Sequence, residues 1–192
     1  MKRFKTINML KGAAFLLMLL LSYNDIKAQE VKKEVKTIET KMDVFSSKTG
    51  TITKFIDFKI NPLKLFYGST PARIRKVITG TQPVFFLQIE RQGQYSNSVA
   101  SVEYSDLIEV IKAIKTLKID EQKDIVLSPD YLENKFTTVD GFQVGYYVEK
   151  GKSSWFLKLE KYGSDNTLFA KSGDAIEGAF DEAKNKIEEL KK

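Results

Sequence analysis

The sequence predicts an α+β protein built from two tandem β-meander-plus-helix (ββββα) units related by a pseudo-twofold, with antiparallel sheets covered by two amphipathic helices. Three observations carry this prediction. Apolar residues alternate with polar ones in short runs across 51–103 and again across 132–171, the period-two pattern of half-buried strands. Each series is followed by apolar residues at helical spacing. The heptad FFLQIER (Phe85–Arg91) also returns seventy positions later as WFLKLEK (Trp155–Lys161).

The chain opens with Lys2, Arg3, Lys5 and Lys11, then the apolar run Ala13–Leu21 and a small residue, Ala28. A charged start, a short apolar run and a small-residue exit predict an export signal over 1–28. Nine apolar residues make only about 14 Å of helix against a hydrocarbon core of about 30 Å, too short for a transmembrane anchor. No later stretch is apolar enough to span a bilayer. Five of the 31 basic and one of the 25 acidic residues lie in this segment. The mature chain from Gln29 therefore carries 26 and 24, a net +2 rather than the +6 of the whole. A near-neutral domain exerts little overall pull on polyanions, so nucleic acid is a poor expected partner.

Residues 29–50 are charged and short of large apolar side chains, and predict a linker or edge segment ending in the turn-like SSKTG. The first unit spans 51–119. Thr51–Ile60 places Ile52, Ile56, Phe58 and Ile60 at even positions. NPLKLFYGSTP breaks the pattern with two prolines and a glycine around one short strand. Ala72–Thr79, Val84–Gln92 and Val99–Glu103 are further strands. Ser105-Asp106 then offers a helix start, and Leu107, Ile108, Ile111, Ile114 and Leu117 form a stripe, predicting a helix over 106–117.

The second unit spans 120–192. Leu132–Val139 and Phe142–Glu149 flank Asp140-Gly141, a strong hairpin cue. Ser154–Tyr162 and Thr167–Lys171 follow, and Ile176, Phe180, Ala183, Ile187 and Leu190 predict a helix over 174–190. The units match in register. Ile74 and Ile78 fall on Val144 and Val148, and Glu90 on Glu160. With a two-residue loop difference, Asp106, Ile108 and Glu109 fall on Asp174, Ile176 and Glu177. A four-strand meander plus helix, duplicated about a pseudo-twofold, is similar in topology to the paired repeats of Pur-alpha-type nucleic-acid-binding proteins. That likeness lies in strand count and carries no functional motif.

Alternation assigns faces within the heptads. Phe85, Leu87 and Ile89 line one side, as do Trp155, Leu157 and Leu159, the natural core face under a helix. Phe86 and Phe156 point the other way, toward a second layer or a contact surface. Tyr146 shares a face with Phe142 and Val144, and Tyr147 faces away.

The chemistry is bounded by absences in the sequence. With no His and no Cys, His-based triads, Cys nucleophiles and His/Cys zinc sites are excluded. S-x-x-K, G-x-S-x-G, G-x-G-x-x-G and P-loop spacings do not occur. No catalytic residue, metal or cofactor is predicted. Carboxylates remain: Glu90 and Glu160 at matching strand positions, and Asp106 and Asp174 at matching helix starts, where capping is the ordinary role. The expected function is that of an exported, non-enzymatic binding module of the envelope or extracellular space, with a protein, small-molecule or glycan partner. Its candidate contact residues are Phe86, Phe156, Tyr146 and Tyr147, together with the basic stretch Arg73, Arg75 and Lys76. Two alternatives stand beside it: a polyanion binder using those basic residues, and a hydrolase using Glu90 and Glu160.

Overall fold

The alternating runs of 51–103 form one four-stranded antiparallel sheet, in the order β1 (Thr53–Lys59), β4 (Ala72–Thr79), β5 (Pro83–Arg91), β6 (Ser98–Glu103). The computed structural model describes residues 39–93, 97–161 and 166–192. The predicted export signal, the rest of the stretch before Glu39 and parts of the two polar loops after β5 and before Asn166 lie outside the described residues. Between β1 and β4 the proline-rich break makes a small hairpin, β2 (Leu63–Lys64) and β3 (Ser69–Thr70).

The runs of 132–171 form a second four-stranded antiparallel sheet, β7 (Leu132–Thr137), β8 (Gln143–Glu149), β9 (Lys152–Lys158) and β10 (Thr167–Phe169), in sequence order. Asp140-Gly141 turns the chain between β7 and β8. Gly141 takes φ +90° and donates its N–H to the Thr138 carbonyl at 3.0 Å, a conformation open to glycine at little cost.

Among the described residues three helices complete this α+β fold: α1 (Lys41–Ser46), α2 (Tyr104–Leu127) and α3 (Gly173–Lys191). α1 emerges from the segment expected to be linker. Its start is a capping box, Thr40 accepting from the Asp43 N–H while Asp43 accepts from the Thr40 N–H. α2 follows the first sheet and α3 the second.

The apolar stripe predicts α2 only as far as Leu117, but the helix continues to Leu127. Its last turns keep Ile125 against the core and add polar contacts: Glu121 accepts from Ser153 and Trp155, and Asp124 from Tyr146. Ser128 ends it at φ 48°, and Pro129 follows. The caps are Glu103 and Ser172, each accepting from a first-turn N–H. Asp106 and Asp174 sit within the first turns, after the caps, and pair with Lys41 and Lys118.

The inner faces of both sheets and the apolar stripes of α2 and α3 close on one core. Leu87, Ile89, Leu157, Ile176 and Ile187 are all enclosed, each contributing about 1.5–3 kcal/mol by leaving water. The helices cross over. α2 touches β5 and β6 of the first sheet, then runs beneath β7, β8 and β9 of the second. α3 starts against Trp155 and ends beneath the first sheet, with Lys191 over the rings of Phe85 and Tyr104.

The two helices run antiparallel. Tyr104 donates to Glu188 at one end of the pair, and Lys118 bridges Glu177 (2.6 Å) and Asp174 at the other. Those two carboxylates push the Lys118 ammonium up to about 12.

Candidate functional site

The outer faces of the two sheets, turned away from the helices, differ. On the first, Phe86 is fully buried, with the Phe45 ring of α1 edge-on to it at 6.1 Å between centroids. α1 is held there by Lys41, whose backbone N–H donates to Asp140 (3.0 Å) and whose ammonium reaches Asp106 (2.7 Å). Burial works against the ammonium, but its bond to Asp106 and the charges of Asp106, Glu103 and Asp140 raise it. The Asp140 carboxyl is pushed up by burial and by Asp106 and Asp43, against the pull of Lys41.

Beside Phe86 the polar side chains of this face form a ladder across the strands. Arg75 grips Asp57 with two bonds of 2.7 Å, which hold the Asp57 carboxyl below its usual range. Arg73 bonds Gln88 (2.9 Å) and Glu90 (3.0 Å), and Gln88 passes the chain to Ser101. The predicted basic patch is thus two arginines facing two carboxylates. Lys76 lies on the opposite face, 5.5 Å from the Phe85 ring centre.

The outer face of the second sheet is open. Phe156, the counterpart of Phe86 in the heptad, floors a cavity of about 270 Å³ whose walls include Tyr147, Phe169, Glu133 and Lys158. A second cavity, about 360 Å³, adjoins it. Tyr147 and Phe169 line both, and Phe66, Tyr67 and Trp155 complete the aromatic lining of the second. The rings of Tyr131 and Tyr147 stack at 6.1 Å, and Tyr147 meets Phe169 edge-on at 6.4 Å.

The far wall is the β2–β3 hairpin. It lies along the free edge of β10 through a Leu65–Ala170 bridge, and the Phe66 N–H donates to the Phe169 carbonyl at 2.9 Å. Its tip presents Phe66 at 66% and Tyr67 at 87% exposure, held side by side with ring centres 4.9 Å apart. Gly68 takes φ +74° to close the turn.

Polar groups ring the aromatics. Glu133 accepts from Lys135 and from the Tyr131 hydroxyl, and these two partners hold its carboxyl low. Gln143 and Lys158 stand at the first cavity, Ser154 and Lys171 at the second.

The candidate residues therefore divide. Tyr147, half-buried, and Phe156, buried but lining the first cavity, share the outer face of the second sheet. Phe86 and Tyr146 are enclosed and offer no surface; burial and Asp124 raise the Tyr146 phenol, which donates to Asp124 at 2.6 Å. No sequence pattern singles out Phe66, Tyr67, Tyr131 or Phe169. The one sequence signal, for Phe66 and Tyr67 alone, is an aromatic pair beside the turn glycine of LFYGSTP.

Glu90 is bound by Arg73 and by Asn97, and Glu160 accepts the Val99 backbone N–H on the edge of β6. Among the described residues no group of three or more His, Cys or acidic side chains is placed to hold a metal ion, and no helix is long and apolar enough to cross a membrane. Comparison with protein-family models, with curated proteins and with solved structures gives no match.

Proposed function

We propose that this protein is an exported, non-catalytic binding module whose contact surface is the outer face of the second sheet together with the β2–β3 hairpin tip. One observation carries the reading: the two outer faces bear the same strand arrangement, yet one is covered by α1 and the other keeps its aromatic rings in open cavities. Exposed aromatic clusters with convergent polar groups are the ordinary form of a ligand site.

The polyanion alternative draws no support from Arg73 and Arg75, which are engaged by Asp57 and Glu90. The hydrolase alternative has Glu90 committed to an arginine. Fragment screening by NMR tests the binding reading. Small aromatic fragments should perturb Tyr147, Phe156 and Phe169 together. Perturbations scattered over the surface, or confined to the α1 side, would overturn it.

We also infer that the two halves are copies of one ββββα unit. Strand order, the following helix and the Phe85/Trp155 positions correspond. Each of those two aromatics also meets the helix of the other half, Phe85 at Lys191 and Trp155 at Glu121. Superposing 72–127 on 143–191 should bring Phe85 onto Trp155 and α2 onto α3; a best fit in another register would remove the duplication.

A further inference from the structure

Resting on that binding reading, we infer that the paired cavities take a short oligosaccharide, with sugar rings on either side of the Tyr147–Phe169 ridge. The argument is one of matched chemistry. The walls offer flat aromatic faces, whose negative π-clouds attract weakly positive C–H groups. The rim offers an acceptor-only carboxylate at Glu133, donor-only ammonium groups at Lys158 and Lys171, and an amide and a hydroxyl at Gln143 and Ser154.

A ligand satisfying that rim must donate at some positions and accept at others, while turning C–H surface to the rings. Sugar rings do both: their hydroxyls donate and accept, and their axial C–H groups make an apolar face. An apolar chain would desolvate Gln143 and Lys158 without offering them partners, at about 1–3 kcal/mol or more each. A polyanion would meet Glu133 head-on, with Lys135 already bonded to it.

The arrangement also explains the hairpin tip. Phe66 and Tyr67 contribute little to the core, yet the Leu65–Ala170 bridge fixes them opposite Phe169. They form the second wall that a single sheet face lacks.

Trp155 is the only tryptophan in the chain and lines the larger cavity, so its fluorescence reports occupancy in the intact protein. The test titrates wild type with short soluble oligosaccharides of hexoses and of N-acetylhexosamines, and follows Trp155 emission and binding heat. At least one class should bind. Y67A and F169A, both at exposed rings, should each weaken it about tenfold, the loss of about 1.4 kcal/mol of contact, with unchanged circular dichroism. No binding by any class at millimolar sugar, or binding indifferent to both variants, would overturn the inference. If the sugars fail while aromatic fragments still map to Tyr147 and Phe169, the ligand class falls and the site stands. If the fragments fail as well, both fall.

Discussion

The indole N–H of Trp155 donates to the carboxylate of Glu121 at 2.8 Å, joining β9 to the late turns of the helix that follows the other sheet. Trp155 is buried, and an indole N–H can only donate. The same carboxylate accepts from Ser153. Glu121→Ala leaves the indole without a partner and should destabilise the fold by about 1–3 kcal/mol. Glu121→Gln, which keeps an acceptor, should lose less. Urea unfolding followed by Trp155 emission measures both.

Gly173 opens α3 directly beneath that indole. A methyl group there would lie 2.7 and 2.8 Å from two ring atoms and 3.0 Å from the Lys118 side chain. In an open helix, glycine to alanine gains about 1 kcal/mol. Here overpacking reverses the sign, and Gly173→Ala should cost about 1–3 kcal/mol. Gly178, in the same helix with open space around it, is the control, and Gly178→Ala should stabilise. A thermal melt of the two variants separates the effects.

The cover over Phe86 depends on one half-buried ring. Phe45→Ala should cost about 1–3 kcal/mol, less than the loss of a fully enclosed phenylalanine, and should open Phe86 to a hydrophobic dye. Val44→Ala, one residue earlier and largely exposed, should stay within about 0.5 kcal/mol of wild type.

Two carboxylates give opposite pH signatures. Arg75 lowers the Asp57 carboxyl, so its contribution is present above the unfolded-state value and is lost as pH falls through the lower folded value. Asp57→Asn should therefore be less stable than wild type at neutral pH, with the gap closing in acid. Burial raises Asp140, so its contribution is present below the unfolded-state value and is lost as pH rises through the raised folded value. Asp140→Asn should melt slightly higher than wild type at neutral pH and lose that advantage in acid. Melting curves from neutral pH to pH 3 check both signs.

Much of the fold is legible in the sequence because burial imposes a period on it. The alternation of Phe85, Leu87 and Ile89, and of Trp155, Leu157 and Leu159, places the strands, and Asp140-Gly141 places a turn. The end of α2 is not legible, because beyond Leu117 the helix is held by Glu121 and Asp124 reaching polar tips on β8 and β9, and such contacts leave no apolar stripe. α1 is hidden for a different reason: a six-residue helix docked through Lys41 to Asp106 and Asp140 depends on partners far along the chain. The difference between Phe86 and Phe156 follows from that docking and not from their own heptads. Phe66 and Tyr67 read as a loop, and only the bridge from Leu65 to Ala170 turns that loop into a wall.

The crossing of α2 and α3 has a consequence for how the chain reaches this state. The β4 side of the first sheet's inner face, with Ile74, waits for a helix encoded in the last nineteen residues before Lys192. A ribosome that has made the first half has made α2, which touches β5 and β6, but not α3, which packs on β2 and β4. Closure therefore depends on contacts between distant parts of the chain, which form slowly. A polypeptide that cannot lock early remains threadable until it is complete, the state that the proposed export would need.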